Sequence, residues 1–244
     1  MKSDFLLHAI GQADDRYLQQ ATQLRGQKKK LRISWKLCLA AALIPLLVVT
    51  AVAQDMLNIH SLNSGAVRYS GSSYRQMDTA MEKAGFQMDV KEQFHNGYTF
   101  DCVTVQDTVA RDEDGRAVLT YPDIDVIYRT QTGNRLYLHA YQKQEEIIQS
   151  DHAPGQTRTI RGITAGYYLD HYKMVPTDYE LTEADKRWEQ QPGNFVSVGS
   201  DAVEETDVAF LCWEKDGICY SIMDMGAEET PDTLFSMAAD LIGS

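Results

Sequence analysis

The chain has 244 residues, 43% hydrophobic and 24% charged, enough for one substantial domain with appendages. Its formal charge of −12 averages two unlike regions: residues 1–36 carry eight Lys/Arg against three Asp, a net +5, while the other 208 residues carry 15 basic and 32 acidic side chains, a net −17. An acidic region of that size excludes nucleic acid as its partner, because phosphate binding needs several cations to neutralise charge and release counterions.

Taken in chain order, residues 4–25 predict two short amphipathic helical pieces. Phe5, Leu6, Ala9 and Ile10 form one apolar stripe, and Gly11 interrupts it. Asp14 and Asp15 cap a second piece carrying Tyr17, Leu18, Ala21 and Leu24. A segment this short cannot bury a core of its own. Its apolar faces therefore need a partner groove or a membrane surface, and both readings stand on composition alone.

Residues 37–53 read LCLAAALIPLLVVTAVA, seventeen positions without a charge. At 1.5 Å per residue such a helix reaches roughly 25 Å, close to a ~30 Å hydrocarbon core. Trp35 sits at interface depth and Lys36 can snorkel outward. Basic residues crowd the N-terminal flank and Asp55 is the first charge beyond, so the positive-inside rule places the N-terminus in the cytoplasm. Ala51-Val52-Ala53 also fits a signal-peptidase site, but a 36-residue leading segment containing Asp and Gln does not fit signal-peptide anatomy. The expectation is a single-pass anchor in the lipid bilayer.

Residues 54–71 are polar and rich in Asn, Ser and Gly, predicting a linker. Ser73 then caps a helix with Tyr74, Met77, Met81 and Ala84 on one face and Gly85 at its end. Strands are predicted over 98–106, 123–130 and 135–142, with a hairpin turn at 131–134 joining the last two. A loop over 144–156 precedes strands at 157–163 and 165–175, and Thr182 with Asp185 opens a short helix over 182–191. Strands at 195–198, 208–215 and 218–223 follow; Asp216-Gly217 between the last two is the clearest hairpin turn in the chain. Thr230 and Pro231 start a closing helix with Leu234, Met237, Ala238 and Leu241 facing inward.

The sum is an α+β fold: one transmembrane helix, then a mainly antiparallel sheet of about seven strands with flanking helices. The organisation is 1–36 cytoplasmic basic segment, 37–53 transmembrane helix, 54–71 linker and 72–244 extracytoplasmic α+β domain.

Phosphate-cradling Gly loops, HExxH, GxSxG and paired CxxC motifs are absent, so no catalytic, cofactor or metal site is assigned and a non-enzyme is expected. Asp4 and His8 share helical spacing, but two ligands are too few for a metal site. Ser150, Asp151 and His152 resemble a triad only by adjacency, which is not triad geometry. Asp123 and Asp125 share one strand face, read as solvated, with metal binding as the alternative. Around the Asp216-Gly217 turn Lys215 faces Ile218 and Glu214 faces Cys219, so Cys212 is only a diagonal neighbour of Cys219 and a disulfide needs backbone adjustment.

The opening FLLHAIGQADDRYLQQA at 5–21, its basic run and the single span resemble the N-terminus of anti-sigma-factor-like membrane proteins of Gram-positive bacteria. KMVPTDYELT at 173–182, VGSD at 198–201, Trp213 and the closing helix resemble a domain of unknown function found outside the membrane in those proteins. The resemblance implies a cytoplasmic segment that holds a sigma factor and an outer domain that senses a ligand or envelope state. One subgroup carries a zinc-binding His/Cys cluster inside the cell; here His8 is present but residues 1–36 contain no Cys. The expected function is a membrane-anchored, non-enzymatic regulator. Its partner-binding residues would be Leu6, Leu7, Ile10, Tyr17 and Leu18. The alternative is an extracytoplasmic ligand- or protein-binding module whose N-terminus is only an anchor.

Overall fold

The computed structural model describes residues 61–112, 114–144, 152–198 and 200–243. Nine strands form one sheet: β1 Ser61–Gly71, β2 Thr99–Arg111, β3 Ala117–Arg129, β4 Arg135–Gln142, β5 Gln156–Ile160, β6 Ile163–Val175, β7 Asn194–Val198, β8 Glu204–Lys215 and β9 Ile218–Met225. Three helices accompany them: α1 Met77–Ala84, α2 Glu183–Glu189 and α3 Pro231–Ile242. The spatial order is β1-β2-β3-β4-β9-β8-β6-β5, with β7 also beside β6. Every pairing is antiparallel except β6–β7, which α2 joins as a crossover.

Pleat alternation assigns the two faces of the sheet. One presents Val103, Val105, Ile124, Val126, Leu136, Leu138, Leu211, Trp213, Tyr220 and Ile222, and these share one apolar core with α1 and α3. From α1, Met77, Ala80, Met81 and Ala84 enter that core; from α3, Leu234, Phe235, Met237, Ala238, Leu241 and Ile242 do so. Local chemistry explains the helix ends. Gly85 adopts φ 83° at the C-cap of α1, and Thr230 Oγ1 accepts from Thr233 N at 3.2 Å with Pro231 following it.

Turns fix the hairpins. Asp216 and Gly217 both have positive φ, 52° and 76°, the geometry of a two-residue turn whose twist matches its strands. The register across it pairs Lys215 with Ile218 and Glu214 with Cys219, as the sequence predicted. Arg161 and Gly162 do the same between β5 and β6, at φ 49° and 88°. The break between those strands therefore falls at 161–162, and Ile163, expected at the end of the first, opens β6.

Within the predicted linker over 54–71, residues 54–60 lie outside the described residues and the rest is corrected: Ser61–Gly71 forms edge strand β1, paired along β2 from Ser61↔Arg111 to Gly71↔Val103. Its composition reads as loop because only Leu62, which is wholly buried, supplies a large apolar anchor at its start. The long edge of β2 imposes the strand, a case of tertiary context overriding propensity. β3 also starts earlier than the 123 expected. Pro122 pairs with Asp107 of β2, but the β3–β4 ladder stops at Asp123↔Tyr141, so at Pro122 the strand is locally an edge that tolerates a missing N–H.

Among the described residues no helix is long and apolar enough to cross a membrane. The predicted span at 37–53, and Leu6, Leu7, Ile10, Tyr17 and Leu18 within 4–25, lie outside the described residues.

Candidate functional site: a buried carboxylate–imidazole cluster

The sheet face turned away from the α1/α3 core carries a small apolar cluster of Leu62, Ala110, Tyr121, Tyr141 and Cys219, with buried polar groups beside it. Asp123 and Asp125 project from it on β3, two positions apart and so on the same side of the pleat. β2 sets Gln106 opposite Asp123, and β4 sets His139 opposite Asp125. Exposure is 0% for Asp123, 6% for Asp125 and 5% for His139, with Gln106 and Thr108 equally enclosed. The expectation of a solvated strand face at Asp123 and Asp125 is therefore corrected.

His139 Nδ1 lies 2.7 Å from Asp125 Oδ1, and Gln106 Nε2 donates to Asp125 Oδ2 at 2.9 Å. Thr108 Oγ1 donates to Asp123 Oδ2. The other oxygen of Asp123, Oδ1, is buried with no hydrogen-bond partner. One ligand atom from each of Asp123, Asp125 and His139 lies within 4.8 Å of the other two. Tyr141 stands beside the imidazole, ring centroids 5.4 Å apart, and Tyr121 lies against Tyr141 with centroids 5.3 Å apart and planes tilted by 39°.

Burial, reinforced by the neighbouring Asp125 carboxylate, pushes the Asp123 carboxyl up to about 7, against the opposing pull of His139 and the Thr108 hydrogen bond. For His139 burial disfavours the imidazolium, yet the Asp125 carboxylate beside it more than compensates, so its pKa is raised. Two carboxylates and an imidazole in a dry site can share protons or ligate a cation.

The remaining sites weighed in the sequence resolve differently. Ser150 and Asp151 lie outside the described residues. His152 Nε2 sits 2.8 Å from Asp170 Oδ1 and Nδ1 sits 2.9 Å from the Ala153 carbonyl, so both ring nitrogens are engaged away from any triad. No disulfide joins Cys212 to Cys219; Cys212 pairs in register with Ser221, its Sγ 3.7 Å from the serine hydroxyl, and burial pushes its pKa up to about 12. A thiol held protonated in this way is a poor nucleophile. On the helix side, a shallow groove between β5 and α3 is lined by Arg158, which pairs with Asp232 and whose Cζ lies 4.4 Å from the Phe235 ring centre.

Sequence reasoning found Asp123 and Asp125 but missed His139, Gln106 and Thr108. The information was present for His139. A tight turn at 131–134 pairs Arg129 with Arg135, and four residues outward from that pair Asp125 meets His139. Gln106 and Thr108 had no such cue: the β2–β3 connection at 112–116 is equally short, but a register shift between Ala110 and Arg111 offsets every pair beyond it.

No protein-family model matches the chain, and neither a curated protein nor a solved structure is significantly similar to it. The reading of function therefore rests on the residues themselves.

Proposed function

We propose that this protein is a membrane-anchored, non-enzymatic regulator: residues 4–25 bind a cytoplasmic protein, 37–53 hold the chain in the bilayer, and the α+β domain senses or binds on the far side. The observation that carries this reading is the reversal of charge, from +5 over 1–36 to −17 beyond, across a seventeen-residue run with no charge. The anti-sigma-factor-like opening at 5–21 makes a sigma factor the partner to look for, with Leu6, Leu7, Ile10, Tyr17 and Leu18 as the contact surface.

The fold supplies a route for coupling. Seven residues separate the uncharged run from β1, and β1 is an edge strand held by β2 alone. Load on the anchor would fall first on a strand paired on one side. The other side of β2 carries Gln106 and Thr108 to Asp125 and Asp123 on β3. A change in that cluster and a change in β1 pairing thus meet on one strand.

The test is a crosslinking pull-down from native cells with the full chain and a variant carrying Leu6→Ser, Ile10→Ser, Tyr17→Ser and Leu18→Ser. A sigma factor recovered with the first bait and lost with the second is the expected result. Identical recoveries from both baits, or no cytoplasmic protein from either, would remove the regulator reading and leave a binding module on an anchor.

A further inference from the structure

Among the described residues His and Asp pair at four places. His95 meets Asp240, His152 meets Asp170 and His171 meets Asp207. Only the fourth, on β3 and β4, brings in a second carboxylate to complete three donors of the kind that ligate metals. It is also the most deeply enclosed, with Asp125 and His139 side chains 7% exposed each.

Charge decides what such a site needs. Two ionised carboxylates and a protonated imidazole leave one costly negative charge in a dry interior, and a proton on Asp123 Oδ1 would remove it only by burying a donor with no acceptor. A divalent cation with a neutral imidazole brings the same three side chains to zero. It would also supply the partner that Asp123 Oδ1, wholly buried, does not have. The oxygens not used for ligation are already held: Gln106 Nε2 donates to Asp125 and Thr108 Oγ1 to Asp123, the outer-shell support that orients metal-binding carboxylates. A two-oxygen, one-nitrogen set suits a first-row divalent ion such as zinc or manganese, whereas a calcium site would draw on oxygen alone.

We propose that Asp123, Asp125 and His139 form a binding site for a divalent first-row transition-metal ion, with Thr108 and Gln106 as its outer shell. The ion bridges β3 to β4, taking the place of the direct His139–Asp125 contact. It names a ligand for the domain to which the regulator reading gives a sensing role, but its binding stands whether or not residues 4–25 hold a partner.

The test uses the full chain, expressed with zinc and manganese both supplied, purified in detergent and desalted. Metal content is measured by mass spectrometry for the wild type and for Asp123→Asn, His139→Gln and Thr108→Val. The expected result is about one equivalent of zinc or manganese in the wild type. Asp123→Asn and His139→Gln should retain at least tenfold less, and Thr108→Val should exchange its metal to a chelator roughly 10- to 100-fold more readily, as outer-shell changes do. Metal-free wild type, or equal content in all four proteins, overturns the proposal. Should the ligand variants fail to fold, metal-edge X-ray absorption on the wild type decides: one imidazole with oxygen donors supports the site, and several imidazoles or a sulfur shell refutes it.

Discussion

Asp185 shows how one side chain can organise a segment. Its carboxylate accepts from Tyr179 OH at 2.9 Å, from Thr182 N at 2.9 Å and from Thr182 Oγ1 at 2.7 Å, and it pairs with Lys173 of β6. It therefore closes the capping box of α2 and ties that helix to β6 at once. The Lys173 ammonium, then the Thr182 donors, hold its carboxyl well below the usual carboxylate range. A depressed carboxyl contributes stability above its unfolded value, about 3.9, and loses it as pH falls toward the folded value. Asp185→Asn should lower Tm by about 3–6 °C at pH 7 and flatten the decline below pH 4, which thermal melts from pH 2 to 8 would check. Cys212 offers a chemical counterpart. With its thiol pushed up to about 12 and its side chain buried, iodoacetamide at pH 8 should leave it unmodified in the native protein and label it after unfolding, as peptide mapping would report.

Among the elements, β1 is the one whose existence depends most on its neighbour. Its register against β2 shifts twice, between Ser64 and Val67 and again between Val67 and Tyr69, and Val67 is 60% exposed. Gly65 lies where the two backbones approach closely: a Cβ there would stand 2.8 Å from the Asp107 carbonyl oxygen and 3.1 Å from Val109 Cγ2. Gly65→Ala should push β1 off β2 locally, so that amides in 61–71 exchange faster with solvent while those of α3 are unchanged. Unchanged exchange in β1 would show that the edge gives way without loosening. The β8–β9 hairpin stands at the other extreme, since its Asp216-Gly217 turn alone sets the register of every pair in it.

At the scale of the whole molecule, one core joins both halves of the sheet. Trp213 on β8 is 3% exposed and stacks on Tyr220 of β9, ring centres 5.1 Å apart and planes within 1°. Both belong to the same apolar cluster as α1 from the start of the domain and α3 from its end. Trp213→Ala should cost about 3–5 kcal/mol, transfer and cavity terms together, read as a lower urea midpoint with a single transition. Two separate transitions would mean that the halves of the sheet unfold independently.

What was legible in the residues is what local chemistry dictates. The caps at Thr182 and Thr230, the Gly85 stop, the Asp216-Gly217 turn and the reversal of charge around residues 37–53 each depend on a few neighbours in the chain. Tertiary structure alone decided the rest. Ser61–Gly71 became a strand because β2 offers it a free edge, and β7 lies parallel to β6 because α2 carries the chain back. Asp123 and Asp125 share a strand face by spacing alone, but whether that face meets water or an imidazole depends on strands that arrive from 106–108 and 139. Burial is a property of the assembled sheet, and no local pattern of residues encodes it.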